Sequence, residues 1–151
     1  MSTNADLVAV LERLMRGLAA EWLEKARRFR PVAEVPIGEL MTHPDLGDRL
    51  AETVRELPET EFGVYYRLFA ARTMGGRVFA LAQGTHTIRF RVGALDTPLP
   101  NGAAPDALFG ADWIEVNAWN PDVPSAAWKK ILRELAARAH AFTAGEADEN
   151  R

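Results

Sequence analysis

The chain has 151 residues, 48% hydrophobic and 26% charged, which suits one globular domain and excludes a disordered or fibrous chain. It has no cysteine, which excludes disulfides, thiol nucleophiles and Cys-based zinc sites and fits a reducing compartment. The net charge of −3 gives no bulk signal for nucleic acid, and no apolar run reaches the roughly 18 residues that span a bilayer.

The first predicted element is a long amphipathic helix over Asn4 to Phe29. Thr3 or Asn4 can cap it, and Leu7, Leu11, Leu14, Leu18 and Trp22 recur at spacings of three and four. Pro31 ends it, because the residue before a proline avoids the α region. Residues 31 to 45 are mixed, with one short helical turn expected at Ile37, Leu40 and Met41. A second helix is expected from Pro44 or Asp45 to Leu57, with the stripe Leu46, Leu50, Val54 and Leu57.

The period then changes. Val64 to Arg72 is rich in β-formers, and Thr73-Met74-Gly75-Gly76 reads as a hairpin turn. Arg77 to Gln83 is the next strand, and Gly84-Thr85 turns it. In His86 to Val92, Ile88, Phe90 and Val92 alternate with Thr87, Arg89 and Arg91, a strand with one apolar and one wet face. A Pro-rich loop is expected over residues 93 to 110, then a fourth strand over Asp112 to Asn117. Ser125 caps a final helix through Phe142, whose apolar face is Trp128, Ile131, Leu132, Leu135, Ala139 and Phe142. The predicted fold class is α+β: an antiparallel meander of about four strands, packed by two N-terminal helices and one long C-terminal helix in a two-layer sandwich. One domain is expected over residues 1–142, with a disordered tail over 143–151.

No catalytic constellation stands out. Ser2 lies at the terminus and Ser125 is a helix cap; neither has a nucleophile-elbow setting. No P-loop or GxGxxG occurs, and His43, His86 and His140 fall on different elements without metal-ligand spacing. His43-Pro44-Asp45 could pair a base with an orienting acid, but helix-start signals explain those residues completely. No cofactor and no metal are expected.

Two features could bind. Arg89 and Arg91 share one side of a strand, and Arg67, Arg72 and Arg77 on the preceding hairpin can join them in a basic face for an anionic ligand or an acidic partner. The bland alternative pairs these arginines with cross-strand acids such as Glu115. The second feature is Trp119 in Asn117-Ala118-Trp119-Asn120-Pro121, either an exposed interface anchor or a core residue folded back near Trp128. Of the 18 basic residues, 15 are Arg, spread along the whole chain, which a GC-rich genome explains better than recognition does.

The stretch Tyr66-Arg67-Leu68-Phe69, Met74-Gly75-Gly76-Arg77-Val78-Phe79-Ala80-Leu81 and Ile88-Arg89-Phe90-Arg91-Val92 resembles the small bacterial proteins related to the TfoX N-terminal domain and YjbR. Asp112-Trp113-Ile114-Glu115-Val116, followed by a Pro-containing turn and a helix from Ser125, is also similar, so the resemblance spans residues 62 to 142. The first helix and residues 31 to 45 have no counterpart in it. It implies a fold and a regulatory or uncharacterised role, and it brings no catalytic residues. Without a catalytic constellation, and with a long amphipathic first helix and an aromatic loop that could both serve contacts, the expected function is a cytoplasmic, non-enzymatic interaction or regulatory protein, acting on a protein partner or on itself as a homodimer. The alternatives are a small-molecule binder with a pocket between sheet and helices, and an enzyme using His43 or His86.

Overall fold

The computed structural model describes residues 5–14, 16–17, 42–65, 68–95 and 97–149. Helix α1 occupies residues 5–14 and is helical again at 16–17. Its Leu7, Val10, Leu11 and Leu14 fall at i, i+3, i+4 and i+7, and all four are buried. The rest of the expected first helix, the expected turn at Ile37 to Met41, and Arg67 lie outside the described residues.

Helix α2 spans Pro44–Val54. Pro44 sits in its first turn, where a missing N–H costs nothing, and the Nδ1 of His43 accepts from the Asp45 backbone N–H at 3.1 Å. His43 is thus the N-cap. The helix buries Leu46, Leu50 and Val54 and stops short of Leu57.

Six strands follow: β1 (Thr60–Tyr65), β2 (Leu68–Thr73), β3 (Val78–Gln83), β4 (Thr87–Arg91), β5 (Ala103–Asp106) and β6 (Gly110–Asn117). They form one sheet in the order β1-β2-β3-β4-β6-β5, with every pair antiparallel. The α+β class therefore stands, with six strands where about four were expected. Two were missed. Where one strand was expected over Val64 to Arg72, the chain makes a β1–β2 hairpin that reverses between Tyr65 and Leu68. The second, β5, lies inside the expected 93–110 loop and contains Pro105, a residue that only an edge strand tolerates. Gly76 takes φ +90° in the β2–β3 turn, as the glycine pair there predicted.

The two faces of the sheet carry separate cores. On one, Ala71, Ala80, Ala82, Ile88, Phe90, Ile114 and Val116 pack under α2 and α3. On the other, Leu68, Ala70, Val78, Leu81 and Trp113 pack with Phe109 under α1. A bulge opposite Ala71/Arg72 inserts Phe79, letting the neighbours Phe79 and Ala80 serve the same face while Val78 serves the other. The face expected to be wet is therefore covered by α1, so helices lie on both sides of the sheet.

Helix α3 runs Ser125–Glu149 and buries Trp128, Leu132, Ala136, Ala139 and Thr143. The expected boundary at Phe142 is corrected: Thr143 is wholly buried, its Oγ1 donates to the Arg91 carbonyl at 3.5 Å, and Glu146 is held by arginines. Packing and ion pairing thus carry the helix into a segment whose composition alone read as a tail. Among the described residues, no helix is long and apolar enough to cross a membrane.

Candidate functional site

Trp119 sits in the turn after β6, 40% exposed. Asn117 makes the turn locally: its side-chain oxygen accepts from the Trp119 N–H at 2.9 Å, and its backbone carbonyl accepts from Trp128 Nε1 at 2.8 Å. The Trp119 indole is then pinned from two sides. Its Nε1 donates to the Thr85 carbonyl at 2.9 Å, and the Arg49 guanidinium of α2 lies 4.5 Å from the ring centroid. Asp45, Asp48 and Glu52 join the pair around a depression of about 170 Å³, and Glu52 also meets Lys129 at 3.5 Å. Trp128, at 1% exposure, and Trp113 are spent in the two cores, while Trp119 is not. Sequence reasoning missed Arg49, because only the tertiary fold brings α2 over the β6 turn.

The basic face has a different fate. Arg89 and Arg91 do share a side of β4, but that side lies under α1. Arg89 is 5% exposed; its Nε approaches Asp106 Oδ2 at 2.9 Å and its Nη2 approaches the cross-strand Glu115 at 3.9 Å. Gln83 accepts from Arg89 Nη1 at 3.2 Å, and the ring of Phe109 lies 6.0 Å away. Asp106 is itself fixed by accepting from the Leu108 N–H at 2.8 Å. Arg72 meets Glu61 at 3.2 Å.

Arg77 and Arg91 converge on two carboxylates from opposite layers. Glu146 of α3 lies 3.5 Å from Arg77 and 3.2 Å from Arg91. Asp6 of α1 lies 3.9 Å and 4.0 Å from the same two residues and accepts from the Val78 N–H at 2.7 Å. The cluster is neutral, two charges of each sign. The face expected to be open and basic is thus mostly covered and internally neutralised, as the cross-strand alternative with Glu115 anticipated in part.

The histidines are not brought together. His43 caps α2, with Asp45 Oδ2 at 3.8 Å; His86 is exposed beside the Thr85 hydroxyl; and His140 meets the Glu59 carbonyl and the edge of Phe79. Among the described residues, no group of three His, Cys, Asp or Glu side chains is placed to hold a metal.

Two larger open grooves lie among the described residues. One, of about 430 Å³, is lined by His86, Thr87, Ala104, Glu115 and Asn117 at the β4–β6–β5 end of the sheet. The other, of about 410 Å³, lies between α2 and β1, where Ala51, Val54 and Leu57 meet Phe62. Phe62 and Val64 on β1 are exposed to 38% and 58%, and Phe62 stacks on Phe69 with centroids 6.0 Å apart. Their i, i+2 spacing was a usable signal in the sequence, hidden by Glu61 and Gly63 beside it. No family model, curated protein or solved structure matches the chain.

Proposed function

We propose that this protein works by binding other polypeptides, a second copy of itself among them, rather than by chemistry. The observation that carries the reading is Trp119: a large aromatic left at the surface yet held rigid by Thr85 and by Arg49. Aromatic and arginine anchors that are already ordered lose little entropy on docking, which is why such pairs dominate interface energetics. The exposed Phe62 and Val64 add a second apolar surface. The resemblance of residues 62–142 to the TfoX- and YjbR-type proteins supports a regulatory role in a bacterial cytoplasm. Native mass spectrometry of untagged protein, purified gently from its own cells, tests the reading. A dimer mass or a second polypeptide supports it, with Trp119→Ala losing at least one such species while remaining folded. A bare monomer mass at every concentration sinks it.

A second reading is a small-molecule binder. It is favoured by the α2–β1 groove, which lies between sheet and helix and falls in the size range of about 300–1,000 Å³ common to ligand sites. A reproducible small added mass in the same spectra would select it. Its ligand would be apolar rather than anionic at that groove, because Arg89 and Arg91 are turned to the α1 side.

A further inference from the structure

The two edges of the sheet are built differently. The β5 edge is four residues long, carries Pro105 and breaks register between Pro105 and Asp106. Proline, brevity and bulges are the devices by which sheets prevent further strands from adding. The β1 edge has none of them. It is six residues, Thr-Glu-Phe-Gly-Val-Tyr, in regular register with β2 throughout. Its single charge, Glu61, is occupied with Arg72. No strand among the described residues covers its outer side.

Resting on the self-association reading above, we propose that β1 pairs antiparallel with β1 of a second copy of this chain, about a two-fold axis at Gly63. Two six-stranded sheets then become one. A two-fold axis perpendicular to the sheet sets the α2–α3 face of one copy beside that of the other, so only residues of the same parity can oppose one another. Centring on Gly63 sets Phe62 opposite Val64 of the second copy twice over, and both exposed apolar side chains find an apolar neighbour. Glu61 falls opposite position 65 instead of against its own copy, so no like charges meet on the seam. Glycine in a strand interior weakens an ordinary strand, and here it leaves the axis clear for close backbone approach.

Sedimentation equilibrium and deuterium exchange on the full chain test this, using the wild type, Val64→Lys and Val64→Thr. The expected result is a wild-type dimer with β1 amides that exchange slowly. Val64→Lys should raise the dimer dissociation constant by about a hundredfold, with circular dichroism unchanged. Val64→Thr keeps the β-branched shape, so it gives a smaller rise and serves if the lysine variant fails to fold. A wild-type dimer that survives both substitutions overturns the β1 seam and leaves self-association standing at another surface. A wild-type monomer at the highest attainable concentration overturns both. Slow exchange in a monomer of the β1 amides that point away from β2 also overturns the seam, because the chain itself then covers that edge.

Discussion

At the scale of single residues, the arginines and tryptophans divide between structure and contact. Arg89 and Asp106 illustrate the structural side: both are buried, and each is the main charge partner of the other. Removing one member of a buried pair strands the other, so Arg89→Met should lower the unfolding free energy by about 3–5 kcal/mol, read from urea denaturation. A loss under about 1 kcal/mol would mean that water satisfies Asp106 without the arginine. Trp119 illustrates the other side. Its hydrogen bond and its cation–π contact sit at the surface, where each contributes about 0.5–1 kcal/mol. Trp119→Ala should therefore cost little in the same denaturation curve while abolishing a partner complex. A large loss of stability would reassign the residue to the fold.

At the scale of elements, the docking of α1 and α2 decides what the sheet presents. Leu14 is completely buried in the α1 core, so Leu14→Ala should cost about 2–5 kcal/mol and speed amide exchange in α1 before the rest of the sheet. Uniform acceleration across the molecule would instead show that α1 unfolds only with the whole. For α2, a Cβ at Gly47 would clash with the Phe69 ring, so Gly47→Ala should destabilise by about 1–3 kcal/mol, as overpacking does. Thermal melting of Gly47→Ala with Phe69→Leu, which makes room, should recover part of that loss.

These same elements show what was legible in the sequence. The Leu7, Leu11, Leu14 stripe predicted a helix with one buried face, and the Ile88, Phe90, Val92 alternation predicted a strand with two distinct faces. Neither pattern carries an address. Nothing in the stripe said that α1 would settle on the arginine side of β4, so a covered, ion-paired surface read as an open one. Strand β5 failed for a local reason: Ala-Ala-Pro-Asp has no β-forming signal, and pairing with β6 alone makes it a strand. The Trp119 turn was readable in Asn117-Ala118-Trp119-Asn120-Pro121, but its stacking partner lies on another element, seventy positions away in the numbering.

At the scale of the whole molecule, the Asp6, Glu146, Arg77 and Arg91 cluster ties the helical layers of both faces to the rim of the sheet. Deleting residues 143–151 removes Glu146 and the buried Thr143, leaving two arginines facing one carboxylate. Such a chain should melt earlier, with a loss of roughly 2–4 kcal/mol by calorimetry. An unchanged melting curve would show that the end of α3 is dispensable. With no cysteine in the chain, that curve should be the same with and without reductant.

The cluster also brings two distant stretches of the chain to one place. Arg77 and Arg91 each reach Asp6 and Glu146, so the first turn of α1 and the last turns of α3 meet the same two guanidinium groups on one rim. Joining them with a flexible link and reopening the backbone at the exposed Pro121–Asp122 turn should yield a circularly permuted chain that keeps the sheet and its helices, cut within the turn where the Asp122 N–H donates to Asn120.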